Sequence, residues 1–267
     1  AKGRFPYSIS IRKESEDYLA FDDPLGVTVV HMCVIPTTTF CSDIRFLFAD
    51  PARGLELVDN LMEFGRQAVM DQYWSNREFR ETYWPNHEPP STVGELQDMV
   101  ILGFNFPPSV FQLHLQFMHL PCFPFHEVQA RKGNHWHFGR FFPFEYIRKA
   151  LACGDNVRMD VDIDTSIEDV ISNIAAQGIP YEAEHASMMG KFERSSKRFD
   201  VWRADDFEYE VCEGVVTSTR TGHQVPDANP VDIQKQDNAR MKNYGRPRCS
   251  YYRYIKQAGS VKSFPLL

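Results

Sequence analysis

No run of about 18 apolar residues occurs in the sequence, so no membrane-spanning helix is expected. Cys-x-x-Cys pairs are also missing. The six cysteines (Cys33, Cys41, Cys122, Cys153, Cys212, Cys249) are scattered with no short framework. In a chain of this length that pattern predicts reduced thiols and a cytoplasmic compartment. No secretory signal peptide is recognisable. The first thirteen residues carry Lys2, Arg4, Arg12 and Lys13 and no acid. They resemble the mature edge of an organelle import sequence, so a mitochondrial or other organellar address is the alternative. A basic N-terminal strand is the plainer reading. Internal repeats are absent. A net charge of −7 excludes a chain that coats nucleic acid along its whole surface.

What is present in quantity is aromatic surface, with Phe 21, Tyr 11 and Trp 4 in 267 residues. Hydrophobic residues make up 43% and charged residues 24%, which excludes disorder as the main state. The length suits one large domain or two modest ones. Charge divides the chain. Residues 1–127 hold 9 Lys and Arg against 17 Asp and Glu, whereas residues 128–267 hold 20 against 19. Between 235 and 262 there are eight basic residues and one acid, Asp237. Such a segment suits phosphate-bearing partners, and RNA contact is the expectation there.

Residues 17–36 read as strand, turn, strand. The turn is Asp22-Asp23-Pro24-Leu25-Gly26, and Pro36 ends the second strand. Leu55, Val58, Leu61, Met62 and Val69 recur at helical spacing over 52–72, with Glu56, Asp59, Glu63, Arg66 and Asp71 on the polar face. Residues 73–96 are aromatic, charged and Pro-rich, and read as an insertion or long surface excursion. A strand is expected over 97–104, then a Pro107-Pro108 turn, then a strand over 109–117. Alternation on that last strand sends Leu113, Leu115 and Phe117 to the core and Gln112, His114 and Gln116 to the other face, about 7 Å between alternate residues. Beyond 127, helices are expected at 145–152, from Asp164 or Thr165 to Ala176 with Gly178 as the stop, and over 181–200. Alternation of Val157, Met159, Val161 and Ile163 predicts a strand.

A Gln-x-His-x-Gln row behind a turn containing Ser109 has the parts of a nucleophilic site. Imidazole attacks phosphorus and leaves again, which suits covalent phosphoryl or nucleotidyl transfer. Neighbouring donors must hold the phosphate oxygens. By itself the triplet more plainly describes three polar residues on the solvated face of a strand.

Context adds to it. Tyr18-Leu19-Ala20-Phe21-Asp22-Asp23-Pro24 followed by His31-Met32-Cys33-Val34-Ile35-Pro36 resembles the opening strands of the histidine triad (HIT) superfamily. Ser109-Val110-Phe111-Gln112-Leu113-His114-Leu115-Gln116 resembles that family's Ser-Val-Tyr-His-Val-His-Leu-His strand, and the helix at 52–72 falls between the two. The resemblance covers roughly residues 5–125, and the second half matches no known family. It implies an α+β fold, a HIT-like antiparallel sheet with a packed helix over 1–127, plus a C-terminal α/β extension of unknown type over 128–267 that ends in the basic, Tyr-rich tail. It implies His114 as the nucleophile toward the α-phosphate of a nucleotide, Ser109 as a phosphate contact, Asp23 as the acid holding ribose hydroxyls and Phe21 as a wall of the base pocket. His31 matches the histidine before the Val-Ile-Pro strand, as a structural or accessory residue. The family commonly forms homodimers, and its chemistry needs no metal and no cofactor.

Departures bear on the chemistry. Gln112 and Gln116 stand where the family has its first and third histidines. Gln at the third place resembles the nucleotidyltransferase and phosphorylase branches. A carboxamide donates to a phosphoryl oxygen but supplies no proton to a leaving group. His119 is the accessory candidate for that proton, although alternation puts it on the opposite face, where a structural role is the plainer expectation. Asn105-Phe106-Pro107-Pro108 replaces the family's Gly-rich turn, with Asn105 as the substitute phosphate donor. The function expected is a nucleotidyl hydrolase or transferase working through a nucleotidyl-histidine. The alternative is a degenerate HIT domain that binds nucleotide or RNA, or serves as a structural subunit, without turnover.

Other clusters read more plainly. Asp160, Asp162 and Asp164 lack the Gly and terminal Glu of a calcium loop and suit a solvated face. His135 and His137 have no Cys or His partner at ligand spacing and suit core or surface positions. Tyr244–Lys256 suits either base stacking or a tail strapped over the domain by aromatic packing.

Overall fold

The computed structural model describes residues 10–23, 26–84, 86–108 and 111–196, together with the backbone of three short strands beyond. Six strands form one antiparallel sheet: β1 (Ile11–Glu14), β2 (Tyr18–Asp22), β3 (Thr28–Pro36), β4 (Val100–Asn105), β5 (Leu115–Cys122) and β6 (Phe141–Pro143), in the order β1-β2-β3-β5-β4-β6. The β2–β3 hairpin has the predicted form, with Tyr18 opposite Pro36 and Asp22 opposite Met32.

Helix α1 (Pro51–Val69) lies on one face of this sheet. Its start is fixed by the Asp50 side chain, which accepts from the Arg53 N–H, and by Pro51 in the first turn, where the missing N–H costs nothing. Val58, Leu61, Phe64, Ala68 and Val69 form its buried stripe. Each of the Val, Leu and Phe side chains contributes about 1.5–3 kcal/mol on burial. Gly65 is required by proximity, since a Cβ there would sit 2.6 Å from the Phe117 ring and 3.2 Å from Val34 Cγ2. Phe117 and Val34 thus face α1, and their neighbours Gln116 and Cys33 face away from it.

Residues 73–96 correct the sequence expectation of a surface excursion. After a π-helical turn (Met70–Trp74) the chain forms α2 (Arg77–Tyr83) and α3 (Val93–Gln97). Trp74 and Trp84 are 1% exposed, and their rings stack with centroids 4.2 Å apart. Charge and proline content hid two aromatic anchors that the α1 side of the sheet takes into the core.

Beyond residue 127 the described chain continues on the same sheet. Helix α4 (Pro124–Arg131) follows β5 directly, and β6 then pairs with β4 as an edge strand. Gly103 permits that pairing, because a Cβ there would lie 2.5 Å from the Phe141 ring and 2.6 Å from the Phe142 carbonyl oxygen. Helix α5 (Phe144–Leu151) packs on α1, with Arg148 Nε donating to Asp59 Oδ1 at 2.7 Å. Buried residues from Ala20 to Phe192 form one apolar cluster.

Two helices of the second half stand close to where they were expected. Helix α6 (Ile167–Ala175) starts later than predicted, because Ser166 rather than Asp164 or Thr165 accepts from the Asp169 N–H. Helix α7 (Tyr181–Ser196) follows Gly178, whose φ is +79°. No strand forms over 157–163. Val157 closes a 3₁₀ turn, and Asp162 Oδ1 accepts from the Asp164 and Thr165 N–H groups and from the Thr165 hydroxyl. This local side-chain turn competes successfully with a ladder. Strands β7 (Tyr209–Cys212), β8 (Val215–Ser218) and β9 (Gln224–Val225) form a separate antiparallel sheet. No helix among the described residues is long and apolar enough to cross a membrane.

Candidate functional site

The face of the sheet turned away from α1 gathers most of the predicted site. Phe21 is opposite Cys33, Cys33 opposite Gln116, and Gln116 opposite Gly103, so these four residues form one row across β2, β3, β5 and β4. His31, two residues before Cys33, shares that face.

A chain of hydrogen bonds runs through the row. The Val27 N–H donates to His31 Nδ1 at 3.1 Å. With Nδ1 taken as an acceptor, the neutral ring carries its proton on Nε2. Nε2 donates to Gln116 Oε1 at 2.5 Å and lies 3.7 Å from Asp23 Oδ2. This fixes the orientation of the Gln116 amide, whose Nε2 points at Cys33 Sγ, 3.7 Å away. The Cys33 thiol donates to Asp23 Oδ2 at 3.3 Å. Burial, and secondarily the charge of Asp23, push that thiol well above its usual titration range, so it remains a donor. Cys33 is a site residue that sequence reasoning passed over. Its only signal was its place in the Val-Ile-Pro strand.

His114 stands one residue ahead of β5. It is only 5% exposed, so the protein holds its ring. Its Nδ1 lies 2.8 Å from the Gln112 carbonyl oxygen. A carbonyl can only accept, so Nδ1 carries a proton, and in the neutral ring Nε2 is then the lone-pair nitrogen. Among the described residues that Nε2 has no hydrogen-bond partner. The β4–β5 register, with Gly103 facing Gln116, places Asn105 and His114 each two residues further toward the same end of the sheet. Asn105 is exposed there.

Two of the candidate residues are engaged elsewhere. The side chain of Gln112 is not turned to a phosphate site, since its Nε2 donates to the carbonyls of Pro36 and Thr39 at 2.9 and 3.0 Å. Both amide hydrogens are therefore engaged by backbone. His119 lies on the α1 face against the stacked Trp74 and Trp84, fully enclosed, with ring centroids 5.6 and 4.1 Å from theirs. Burial lowers its pKa to about 3, which makes it a neutral core histidine rather than a proton source for the site. Ser109 and the basic segment 235–262 lie outside the described residues.

The second half covers part of the site face. Trp136 Nε1 donates to Met118 Sδ at 3.3 Å, and Met118 is the cross-strand partner of His31. His135 Nε2 meets His126 Nδ1 at 2.9 Å. Burial first, then repulsion from His31 and His137, holds the His135 pKa down to about 4. Among the described residues no three His, Cys, Asp or Glu side chains are arranged to hold a metal ion. Asp160, Asp162 and Asp164 are exposed.

No family model matches this chain, and no curated protein does. Among solved structures it is similar to Hnt3 in complex with DNA and guanosine, at 12% identity over 88% of each chain with a TM-score of 0.37. It is similar also to an aprataxin ortholog, Hnt3, in complex with DNA, at 13% identity over 93% of this chain and 90% of that one, with a TM-score of 0.35.

Proposed function

We propose that the protein is a nucleotidyl hydrolase or transferase acting on the α-phosphate of a nucleoside polyphosphate or nucleotide conjugate. The observation that carries this reading is the Nδ1–H of His114 held by the Gln112 carbonyl, which in the neutral ring leaves Nε2 as the lone-pair nitrogen. Asp23 and Phe21, which the HIT resemblance gives to ribose and base, approach the same face of the sheet. In the first step Nε2 attacks phosphorus. The P–N bond forms while the bond from phosphorus to the leaving oxygen breaks, and its electron pair departs on that oxygen. Water or an acceptor phosphate then attacks phosphorus, and the pair of the P–N bond returns to Nε2. Gln116 is a fixed amide beside the site, and Asn105 and Ser109 are the remaining phosphate donors in this reading. Neither of these two amides nor the hydroxyl is a useful acid, so a leaving group stable as an anion, such as a polyphosphate, is favoured.

The test follows label from the α-phosphate into protein and product, for wild type and His114→Ala, on dinucleoside polyphosphates, nucleotide sugars and capped dinucleotides. Equal turnover by the two proteins removes the mechanism. A second reading, nucleotide or RNA binding without turnover, is favoured by one observation: the Gln112 amide is wholly engaged by backbone carbonyls. That reading gives nucleotide affinity with no labelled protein. It gives RNA affinity that falls with salt and with removal of residues 235–267.

A further inference from the structure

His114 lies outside the regular ladder. The last β3–β5 pair at that end is Val34 with Leu115, and residues 111 and 112 form a bend. Other bonds must therefore fix the backbone that carries the nucleophile. Three do so, and they reach the last residue of β3 and the loop after it. Gln112 Nε2 donates to Pro36 O at 2.9 Å and to Thr39 O at 3.0 Å, and the Leu113 N–H donates to Cys41 O at 2.6 Å. The same Gln112 supplies the carbonyl that receives the His114 Nδ1–H at 2.8 Å.

We infer that Gln112 is a positioning residue: its side chain ties the loop 36–41 to the nucleophile's segment and so holds the carbonyl that sets the His114 tautomer. The inference deepens the proposed function and rests on His114 being the nucleophile. It also gives a physical reason for the departure from the HIT pattern. A primary amide has two hydrogens in one plane and can serve two carbonyls at once, whereas a neutral imidazole has a single N–H. Histidine at 112 would leave one of the two loop carbonyls without this partner. In this chain the first place of the triad has become a strut.

The residue is changed in the full chain to Met, which keeps length without donors, and to His, which restores the family's residue. Three quantities are read: the rate constant for labelling of His114 by an α-labelled nucleoside polyphosphate, its pH profile, and the dissociation constant of AMP. Histidine nitrogen NMR reports the His114 tautomer, and near-ultraviolet circular dichroism reports folding. The expected result for both variants is a labelling rate lower by ~10–100-fold, the effect of a nucleophile displaced by about an ångström. AMP affinity should be held, the pH profile shifted, and the His114 Nδ1–H signal weakened. Faster labelling in Gln112→His overturns the inference, because Gln112 would then be a weakened triad member. So does weaker AMP binding with an unchanged rate constant, which marks a phosphate ligand. An unchanged tautomer in the folded Met variant overturns it as well. If wild type forms no labelled protein, the catalytic reading fails on its own, and the NMR comparison still decides whether Gln112 sets the tautomer.

Discussion

His31 and Gln116, 85 residues apart in sequence, meet at 2.5 Å across β3 and β5, with Nε2 of the imidazole donating to the carboxamide oxygen. Because the Val27 N–H occupies His31 Nδ1, the proton on Nε2 is fixed, and with it the direction of the Gln116 amide. Replacing His31 by Phe removes the donor while keeping a ring. It should lower stability by about 1–3 kcal/mol, the cost of leaving a buried amide oxygen without its partner. Urea unfolding of the two proteins measures this. A loss under a few tenths of a kcal/mol would mean that water replaces the imidazole without penalty.

Gln116→Glu sets a second carboxylate at His31 Nε2, which already lies 3.7 Å from Asp23 Oδ2. Added negative charge opposes a phosphate. Nucleotide affinity should fall roughly tenfold or more, equivalent to about 1.4 kcal/mol, by titration calorimetry with AMP. Higher affinity in the variant would place the phosphate elsewhere.

The buried His119 makes the fold acid-sensitive. Its pKa is about 3 in the fold, against about 6.5 in the unfolded chain. Between these values the unfolded state binds more protons, so stability rises with pH there. The contribution of the neutral ring is fully present above about pH 6.5 and is lost as pH falls toward 3. His135, held at about 4, acts in the same sense. His119→Phe should therefore lose less stability between pH 7 and pH 5 than wild type, by about 2 kcal/mol. Parallel urea curves at the two pH values supply the comparison, and equal pH dependence would contradict the enclosure of the ring.

Trp84 tests the placement of the segment after α1. Its indole N–H donates to the Leu120 carbonyl at 2.8 Å, and its ring lies against His119. Trp84→Ala should cost about 3–5 kcal/mol by denaturant unfolding. A surface excursion would give less than about 0.5 kcal/mol.

Gly103→Ala tests the union of the two halves. The added methyl meets the Phe142 carbonyl oxygen at 2.6 Å, and backbone cannot swing aside as a side-chain tip can. A loss of about 1–3 kcal/mol is expected, with faster amide exchange in β6. Unaltered exchange there would separate β6 from the sheet.

Patterns of period two and 3.6 were legible in the sequence because burial acts along one element at a time. They gave the β2–β3 hairpin, α1, α5 and α7, and the separation of Leu115 and Phe117 from Gln116. His114 became a candidate on another ground, the resemblance carried by the short motif in which it stands. The tertiary structure alone decided the rest. It placed Trp74 and Trp84 inside, joined β6 to the first half, drew Cys33 into the site, and turned Gln112 toward the loop and His119 into the core. The strand expected over 157–163 failed for a local reason as well, the turn built on Asp162. Hydrogen-bond partners 73 to 85 residues away set the direction of the Gln112 and Gln116 carboxamides and of the His31 imidazole. No periodicity within a strand or helix encodes which distant carbonyl will be waiting.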